Sequence, residues 1–494
     1  MPADPVIPDP TLAATAGGIA RRRRRLIVAV LLVAHLLGFV TSLDALMSTR
    51  TAPGTVAWMV SLNTIPYVAV PAYWVFGRSK FQGYVIGRRE DESLLHRELA
   101  DQMSLVHPYR VVLAPGERHV QAIEQLAKMP MVGANGVELL IDGEATFRSI
   151  FDGIAGALDY VLVQFYIVRD DALGRELQRL LIAKAREGVA VYFLYDEIGS
   201  YRLPARYLAE LGAAGVQVRP FHSTRGSGNR FQLNFRNHRK VVVVDGRAGW
   251  VGGFNVGDEY LGRDRLVGAW RDTHLKMEGP ATLCLQLSFV EDWHWASGEI
   301  LALDWRPAPV EDDVPVLVLP SGPADRFETA SLMVQHAIGT ARHRLWVSSP
   351  YFVPDEGVLG ALKLAALRGV DVRILIPERP DNLLTYYAAY AFVGPLLEAG
   401  VRIYRYQDGF LHAKTMLVDD LASAVGTVNF DNRSFRLNFE ITAWVLDEAF
   451  ATTMEAMFAR DFERSRAMSG AEVTAKPWWF RAASRAAYLT APLL

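Results

Sequence analysis

The sequence predicts an α/β protein whose main body consists of two similar halves related by a pseudo-twofold axis. An N-terminal hairpin of two transmembrane helices is predicted to precede this body. Three observations lead to the prediction. A His-x-Lys-x4-Asp pattern occurs twice, at His238 and at His412. Around each copy, β-branched strands alternate with helical segments that stop at glycines, as in α/β layers. Near the N-terminus, two long apolar stretches follow one another closely.

The N-terminal region is predicted to hold the chain in a membrane. Residues 1–25 form a predicted disordered tail that ends in the basic run Arg21–Arg25. Two transmembrane helices are predicted at residues 26–43 and 55–76, because each stretch is about long enough to cross a bilayer. A signal peptide is the alternative for the first stretch, and the second stretch argues against it. Basic residues flank the pair on both sides, so the positive-inside rule places both ends in the cytoplasm.

The composition excludes several classes of protein. Hydrophobic residues make up 51% of the chain, which is too many for a disordered protein. The net charge of −2 gives no general attraction to nucleic acid, so no nucleic-acid partner is predicted. The single cysteine, Cys284, can form neither an intrachain disulfide nor a cysteine-based metal site. It lies in an apolar helical pattern and is predicted to be a small core residue.

The body of the chain is organised by its internal repeat. In each half, strand, helix, strand and helix follow one another before the strand that carries the His-x-Lys motif, which indicates a duplication. The predicted segments are a connecting region at 77–135, a first half at 136–310, a second half at 311–468, and an aromatic and basic C-terminal segment at 469–494.

The candidate site residues come from the two copies of the motif. The first copy supplies His238, Lys240 and Asp245, and Asn255 follows ten positions after the aspartate. The second copy supplies its counterparts at the same spacing, which are His412, Lys414, Asp419 and Asn429. One copy alone would be explained as well by a surface strand and an ordinary turn. Two copies with matching tails are hard to obtain by chance.

The chemistry of these residue types suits a phosphate ester. A neutral imidazole can attack or relay a proton, and a fixed ammonium beside it can hold an anion. If the halves pack about a pseudo-twofold axis, both histidines meet across one phosphate, and the lysines and asparagines surround its non-bridging oxygens. No metal or other cofactor is predicted. Asp245 and Asp419 complete the motifs, but they sit at turns and are interpreted as structural charges.

The doubled motif resembles that of the phospholipase D superfamily. The flanks Gly253–Tyr260 and Asn429–Phe435 resemble its bacterial cardiolipin synthase branch. The resemblance implies a duplicated phospholipase D-type α/β sandwich. It also implies that a downstream carboxylate binds each catalytic imidazole, which assigns Asp272 to His238 and Glu440 to His412. In the same way it implies that His238 attacks and that His412 is the general acid.

The activity implied by this resemblance is that of a membrane-bound cardiolipin synthase. Such an enzyme transfers a phosphatidyl group between two phosphatidylglycerol molecules through a phosphohistidine and releases glycerol. Two alternatives stay open, a hydrolytic phospholipase D that releases phosphatidic acid and a catalytically silent membrane scaffold. The expected partners are phosphatidylglycerol and membrane lipids, and the oligomeric state is open. The expected location is the inner cell membrane, with several spans and the body in the cytoplasm.

Three further segments are interpreted from their composition. An insertion in the first half, roughly residues 222–232, is predicted to be a mobile loop near the site that could gate substrate. Tyr386, Tyr387 and Tyr390 fall on one helical region and either line a groove for acyl chains or pack in the core. The C-terminal segment 469–494 suits a membrane interface, with docking onto the body as the alternative.

Overall fold

The computed structural model describes most of the chain, namely residues 10–48, 51–77, 99, 101–112, 118–221, 234–264 and 268–494. The described residues fall into two compact units. One contains residues 10–48 and 51–77 together with Asn234, and the other contains the remainder. The insertion predicted at 222–232 lies outside the described residues, as do residues 1–9 of the predicted tail.

The N-terminal unit consists of helices α1 (Pro10–Ser48), α2 (Ala52–Thr64) and α3 (Pro66–Ala72), followed by a π-helical turn at Tyr73–Gly77. Helix α1 packs against α2 and α3. The prediction of a disordered tail is wrong for residues 10–25, which form the first part of α1. A proline is favourable at the first position of a helix, and the alanines and leucine that follow are strong helix formers.

The second apolar stretch is not one continuous helix. The break falls at Ile65, whose φ of −132° is not helical, because the next residue is a proline and disfavours a helical conformation before it. Within the described residues, one helical segment, Arg22–Ser48 in α1, is long and apolar enough to cross a bilayer. The hairpin of two transmembrane helices therefore stays a prediction.

The body contains the strands of the fold. In chain order they are β1 (Val132–Ile141), β2 (Tyr160–Phe165), β3 (Ala190–Asp196), β4 (Gln217–Phe221), β5 (Arg236–Asn237), β6 (Val241–Val244), β7 (Ala248–Gly252), β8 (Trp270–Arg271), β9 (Thr273–Glu278), β10 (Val314–Ser321), β11 (Arg344–Ser348), β12 (Phe352–Val353), β13 (Asp371–Pro377), β14 (Arg402–Tyr406), β15 (Phe410–Leu411), β16 (Thr415–Val418), β17 (Ala422–Gly426), β18 (Phe430–Asp431), β19 (Asn438–Leu446) and β20 (Ser465–Ala467).

Helices cover the strands and connect them. They are α4 (Arg118–Ala127), α5 (Asp142–Ala155), α6 (Ala172–Arg186), α7 (Ala205–Ala213), α8 (Ala281–Ser297), α9 (Thr329–Thr340), α10 (Glu356–Leu367), α11 (Leu383–Glu398), α12 (Asn432–Arg436), α13 (Glu448–Glu463), α14 (Gly470–Thr474) and α15 (Trp478–Tyr488), with 3₁₀ turns at His107–Tyr109, Asp258–Leu261 and Ala491–Leu493.

The order of strands in the main sheet repeats from each edge to the centre. The first half runs β4-β3-β2-β6-β7-β9-β1, and the second runs β14-β13-β11-β16-β17-β19-β10. The three outermost strands of each series are parallel, and the others are antiparallel. Strands β1 and β10 join the halves at the centre, and β20 extends the second half beyond β14. The predicted duplicated α/β fold is confirmed.

The first strand of the body begins earlier than the sequence pattern indicates. The boundary predicted at residue 136 falls inside β1, which starts at Val132. Ala134 has a positive φ of 57°, and the pairing of β1 with β10 shifts register between Val132 and Asn135. This irregularity hides the strand, because a bulge interrupts the alternation of apolar and polar residues on which strand prediction depends.

Candidate active site

Each His-x-Lys motif lies in the extended segment that leads into a fully buried strand, β6 or β16. In such a segment, successive side chains point to opposite faces. Asn237 and Arg239 bind the buried Asp292 carboxylate behind the motif, at 2.8 Å and 3.0 Å. His238 and Lys240 alternate with them along the chain. The reactive pair of the motif is therefore backed by a buried ion pair that holds the segment in place.

Two short parallel pairings bring the motifs of the two halves together. Strand β5, just before His238, pairs with β19 of the second half, and β8 of the first half pairs with β15, just before His412. The backbone N–H of His238 donates to the carbonyl oxygen of Phe439 at 2.8 Å. The N–H of His412 donates to the carbonyl oxygen of Arg271 at 2.7 Å. Each histidine is thus held by a strand of the other half.

The carboxylate partners of the histidines also come from the other half. His238 Nδ1 lies 2.8 Å from Glu440 Oε2, and His412 Nδ1 lies 2.7 Å from Asp272 Oδ2. The expected pairing of Asp272 with His238 and Glu440 with His412 is wrong. Asp272 directly follows β8, and Glu440 lies on β19, and both strands pair across the halves. An Nδ1–H that donates to a carboxylate leaves Nε2 able to attack or transfer a proton.

The two lysines lie against their own histidines. Lys240 Nζ donates to the carbonyl oxygen of His238 at 2.6 Å, and Lys414 Nζ lies 2.7 Å from His412 Nδ1. Lys414 Nζ is also 3.9 Å from Asp272 Oδ2. Lys240 is fully buried, and Lys414 is nearly so. These ammonium groups form a site that suits a phosphate anion.

Burial sets the protonation states of these groups. It lowers the pKa of His238 to about 4, against the opposing charge of Glu440. Burial and then Lys414 lower the pKa of His412 to about 3. Burial also lowers the pKa of Lys240 to about 7 and that of Lys414 to about 8. Both imidazoles are therefore neutral at pH 7, while each ammonium titrates near neutrality and gains stability when an anion binds.

The two carboxylates remain charged although they are buried. Burial by itself raises the pKa of Asp272, and the charge of Lys414 together with the interaction with His412 more than offsets this effect, so the pKa is lowered. The pKa of Glu440 is lowered in the same way, because His238 opposes the effect of burial. A charged carboxylate beside each imidazole stabilises the imidazolium that forms during proton transfer.

The aspartates of the two motifs hold loops at the far ends of β6 and β16. The Asp245 carboxylate accepts backbone N–H groups of residues 158–160 at 2.8 Å each. The Asp419 carboxylate accepts those of residues 342–344. Both aspartates have positive φ, 53° and 54°. The structure thus places them at turns that fix the start of the neighbouring strands.

The two asparagines differ in their surroundings. The Asn255 side chain accepts the N–H of Ile167 at 3.1 Å and donates to the Tyr260 hydroxyl at 3.2 Å, so its amide ties down the loop after β2. The side-chain oxygen of Asn429 is buried and has no hydrogen-bond partner among the described residues. Position 253, two residues before Asn255, requires glycine, because a Cβ there would lie 2.0 Å from Asp272 Oδ1.

Several residues at the site were missed by sequence reasoning. The Tyr166 ring lies edge-on to the His238 ring with centroids 5.0 Å apart, and the Trp270 ring lies 5.0 Å from that of His412. Tyr351 lies 6.5 Å from His412 by the same measure. A signal was present for the tyrosines, because Tyr166 and Tyr351 follow corresponding strands in the repeat. Trp270 carries no comparable signal, since only the pairing of β8 with β15 brings it to the histidine.

Comparisons with known proteins show which family this chain resembles. A family model described as cardiolipin synthase, phospholipase D-like domain, matches residues 150–266 and 334–462. Cardiolipin synthase A of Pseudomonas entomophila is 48% identical over 445 residues, which cover 90% of this chain and 92% of the relative. Cardiolipin synthase A of Pseudomonas fluorescens is 46% identical over 463 residues, 93% of this chain and 97% of the relative.

The fold also occurs in a solved structure. The crystal structure of phosphatidylserine synthase from Haemophilus influenzae Rd KW20 superimposes with a TM-score of 0.58 at 16% sequence identity. The match covers 76% of this chain and 100% of that one. At this level of identity, the likeness shows a shared fold.

Proposed function

The chain belongs to the cardiolipin synthase family with phospholipase D-like domains, and from this membership we propose that it is a membrane-associated phosphatidyltransferase. It joins two molecules of phosphatidylglycerol into cardiolipin and releases glycerol. One observation carries the proposal. Two buried histidines, each bound to a carboxylate of the other half and each accompanied by a buried lysine, converge from the two copies of the motif.

The first half-reaction forms a covalent intermediate. Nε2 of His238 attacks the phosphorus of phosphatidylglycerol, and an N–P bond forms while the bond from phosphorus to the glycerol oxygen breaks. His412 donates a proton to that oxygen, so glycerol leaves as a neutral alcohol. Lys240 and Lys414 stabilise the negative charge on the non-bridging oxygens. His412 must be protonated to act as this acid. Substrate binding favours the protonated form, because an anionic phosphate raises the pKa of a nearby imidazole.

The second half-reaction returns the enzyme to its starting state. A hydroxyl group of a second phosphatidylglycerol loses its proton to His412 and attacks the phosphorus. The N–P bond to His238 breaks, and cardiolipin forms. Glu440 and Asp272 orient the two imidazoles throughout, since each accepts the Nδ1 proton of its partner.

The proposed location is the cell membrane, with the body in the cytoplasm. Arg22–Ser48 is apolar enough to cross a bilayer, and the sequence is basic on the outer flanks of both apolar stretches. A lipid substrate stays in the bilayer, so an anchored enzyme meets both of its substrates at high local concentration.

Chromatography of the lipid products tests this function. Purified full-length enzyme is incubated with phosphatidylglycerol, and cardiolipin and glycerol are expected in equal amounts. The variant His238→Ala is expected to form neither. His343→Ala is the matched control, because its side chain is exposed outside the site, and it should keep full activity. Phosphatidic acid as the main product would instead identify a hydrolase, and unchanged lipid would identify a scaffold.

A further inference from the structure

The nearly symmetric motifs are surrounded by different chemistry on their two sides. On the side of His238, Arg236 and Arg433 both lie close enough to Tyr166 for their positive charges to act on it. The charges of Arg236 and Arg433 also repel each other, so two positive charges lie close together on this side. The position two residues before the second motif histidine is Phe410, so the arginine has no counterpart there.

The side of His412 presents a carboxylate instead. Tyr351 packs edge-on to His412, and its hydroxyl donates to Asp381 Oδ2 at 2.5 Å. Asp381 is exposed at the surface. It is also near enough to Lys414 for the two charges to interact. The Tyr351 hydroxyl therefore ties the Asp381 carboxylate to the side of His412, and a carboxylate has several acceptor positions for hydrogen bonds.

A small cavity adjoins this pair. Its volume is about 20 Å³, and Tyr351, Asp381 and Arg405 are among the residues that line it. Arg405 is 2% exposed and donates through Nη1 to the carbonyl oxygen of Pro377 at 3.0 Å. Its Nη2 is buried and has no hydrogen-bond partner among the described residues. A cavity of this size holds one water molecule or one hydroxyl group, and here that group would meet both a donor and an acceptor.

We propose that Tyr351 and Asp381, with Arg405 through the adjoining cavity, form a subsite for the hydroxyl groups of glycerol beside His412. The subsite rests on the proposed function and deepens it. It receives the glycerol that leaves the donor lipid and then the glycerol head group of the acceptor lipid. Both alcohols must lie next to the histidine that exchanges protons with them, which is His412 in the proposed mechanism.

The chemistry of the two sides fits this division. Arginines suit the oxygens of phosphates, whereas a carboxylate repels an anion and accepts hydrogen bonds from neutral hydroxyls. A site built to bind a hydroxyl discriminates strongly against analogues that lack it, because its own polar groups are then left unpaired. The subsite would therefore favour glycerol-containing acceptors over simple alcohols.

Head-group exchange separates this subsite from the rest of the machinery. Full-length enzyme in mixed micelles of a phosphatidyl donor with a p-nitrophenol head group, which makes no use of a glycerol subsite, is given labelled glycerol or labelled 1-propanol, and the rate of incorporation into lipid is measured for each. The wild type is expected to prefer glycerol by at least about tenfold. Asp381→Ala should lose about 10- to 100-fold with glycerol and in cardiolipin synthesis. Its rate with 1-propanol should change by no more than about twofold.

Two further variants complete the test. Tyr351→Phe removes one hydroxyl and keeps the ring, so it should reduce the preference for glycerol even if Asp381→Ala folds poorly. Asp408→Ala is the matched control, because Asp408 is exposed and forms an ion pair with Arg464, and it should behave as the wild type.

The remaining outcomes contradict the subsite. An equal loss with glycerol and 1-propanol would show that Asp381 only positions His412. An unchanged preference in both variants would show that this side does not bind hydroxyls. Failure of the wild type to transfer to any alcohol would contradict the proposed function itself, and the two failures are thus distinguishable.

Discussion

At the scale of single residues, the exchange of carboxylates between the halves gives the two acids different roles. Asp272 acts through His412, the proposed acid, and Glu440 acts through His238, the proposed nucleophile. Asp272→Asn and Glu440→Gln should each slow cardiolipin synthesis by about 10²–10⁴-fold. A donor with a p-nitrophenol head group needs little protonation to leave. It should restore formation of the covalent intermediate in Asp272→Asn and leave Glu440→Gln impaired.

Mass spectrometry of peptides from the trapped enzyme reads out this experiment. The phosphatidyl group is expected on His238 in Asp272→Asn. Rescue of Glu440→Gln instead, with the adduct on His412, would exchange the roles of the two histidines and leave the fold unchanged. The matched control Asp408→Asn should accumulate no more intermediate than the wild type.

The lysines give the site a pH dependence in the alkaline range. The pKa of Lys240 is lowered to about 7 and that of Lys414 to about 8 by burial, so their ammonium forms exist below these values and are lost above them. Since the ammonium holds the phosphate, kcat/KM should fall as pH rises through this range. Lys240→Arg keeps its charge at all accessible pH values, so its decline should begin at higher pH, even though the overall rate is lower.

The control for this measurement is Lys128→Arg, a change at an exposed residue outside the site, which should leave the profile unchanged. A profile of Lys240→Arg that declines at the same pH as the wild type would assign the titration to another group.

Much of the site could be predicted from residues alone, because the histidines and lysines lie at a repeated spacing. The pairing of Asp272 and Glu440 could not, since it depends on which strands of the two halves lie side by side. Asp381 was missed for the same reason. It follows β13 by several residues, and no sequence pattern shows that it contacts Tyr351 beside the site.

At the scale of elements, helix α15 packs on the body with one face and exposes aromatic side chains on another. Its composition allowed both docking onto the body and contact with a membrane. Phe480 packs against the ring of Tyr390, with centroids 4.8 Å apart, and Ser484 donates to the carbonyl oxygen of Tyr387. The tyrosines of α11 therefore contact the C-terminal helix. Trp478 and Trp479 are 74% and 53% exposed. Such an exposed aromatic pair on a helix suits the interface of a bilayer.

We therefore expect Trp478 and Trp479 to insert into the lipid surface. In reconstituted vesicles, brominated lipids should quench part of the tryptophan fluorescence of the wild type. Trp478→Phe with Trp479→Phe should lower that quenched part and leave the contribution of Trp58 and Trp74 in the second apolar stretch. Trp305→Phe, at a buried tryptophan, is the matched control and should not. An equal quenched fraction in all three proteins would show that α15 stays in water.

Elements with regular patterns were the most predictable ones. The buried valines of β6 and the glycine after α6 mark their elements directly. The second apolar stretch was predicted to be one continuous helix because its hydropathy is continuous. Pro66 instead divides it into two helices. The predicted start of β1 was too late, because Ala134 adopts a positive φ that no alternation of apolar and polar residues indicates.

At the scale of the whole molecule, the basic flanks predict one orientation in the membrane. Both termini and the body should be cytoplasmic, because the basic residues lie outside the two apolar stretches. A green fluorescent protein fused after Leu494 should fluoresce, and an alkaline phosphatase fused there should be inactive. The opposite result would place the body outside the cytoplasm and would leave a single crossing by α1 as the simpler arrangement.

The crossed contacts make one complete site from one chain. Strands β1 and β10 join the halves at the centre of a continuous sheet, and each histidine takes its carboxylate from the other half of the same chain. Neither half therefore holds a finished catalytic pair. Two full-length chains that each lack a different histidine should not repair one another, because every site they form lacks one of its two imidazoles.

Coexpression of His238→Ala with His412→Ala in one cell tests this expectation. Cardiolipin synthesis should stay at the sum of the two variants alone, several orders of magnitude below the wild type, since residues that act as a unit fail together. His343→Ala coexpressed with either variant is the control and should give normal synthesis. Recovery of activity from the two inactive chains would mean that halves of different chains pair with each other, so that the sheet contacts at β5 and β8 form between molecules.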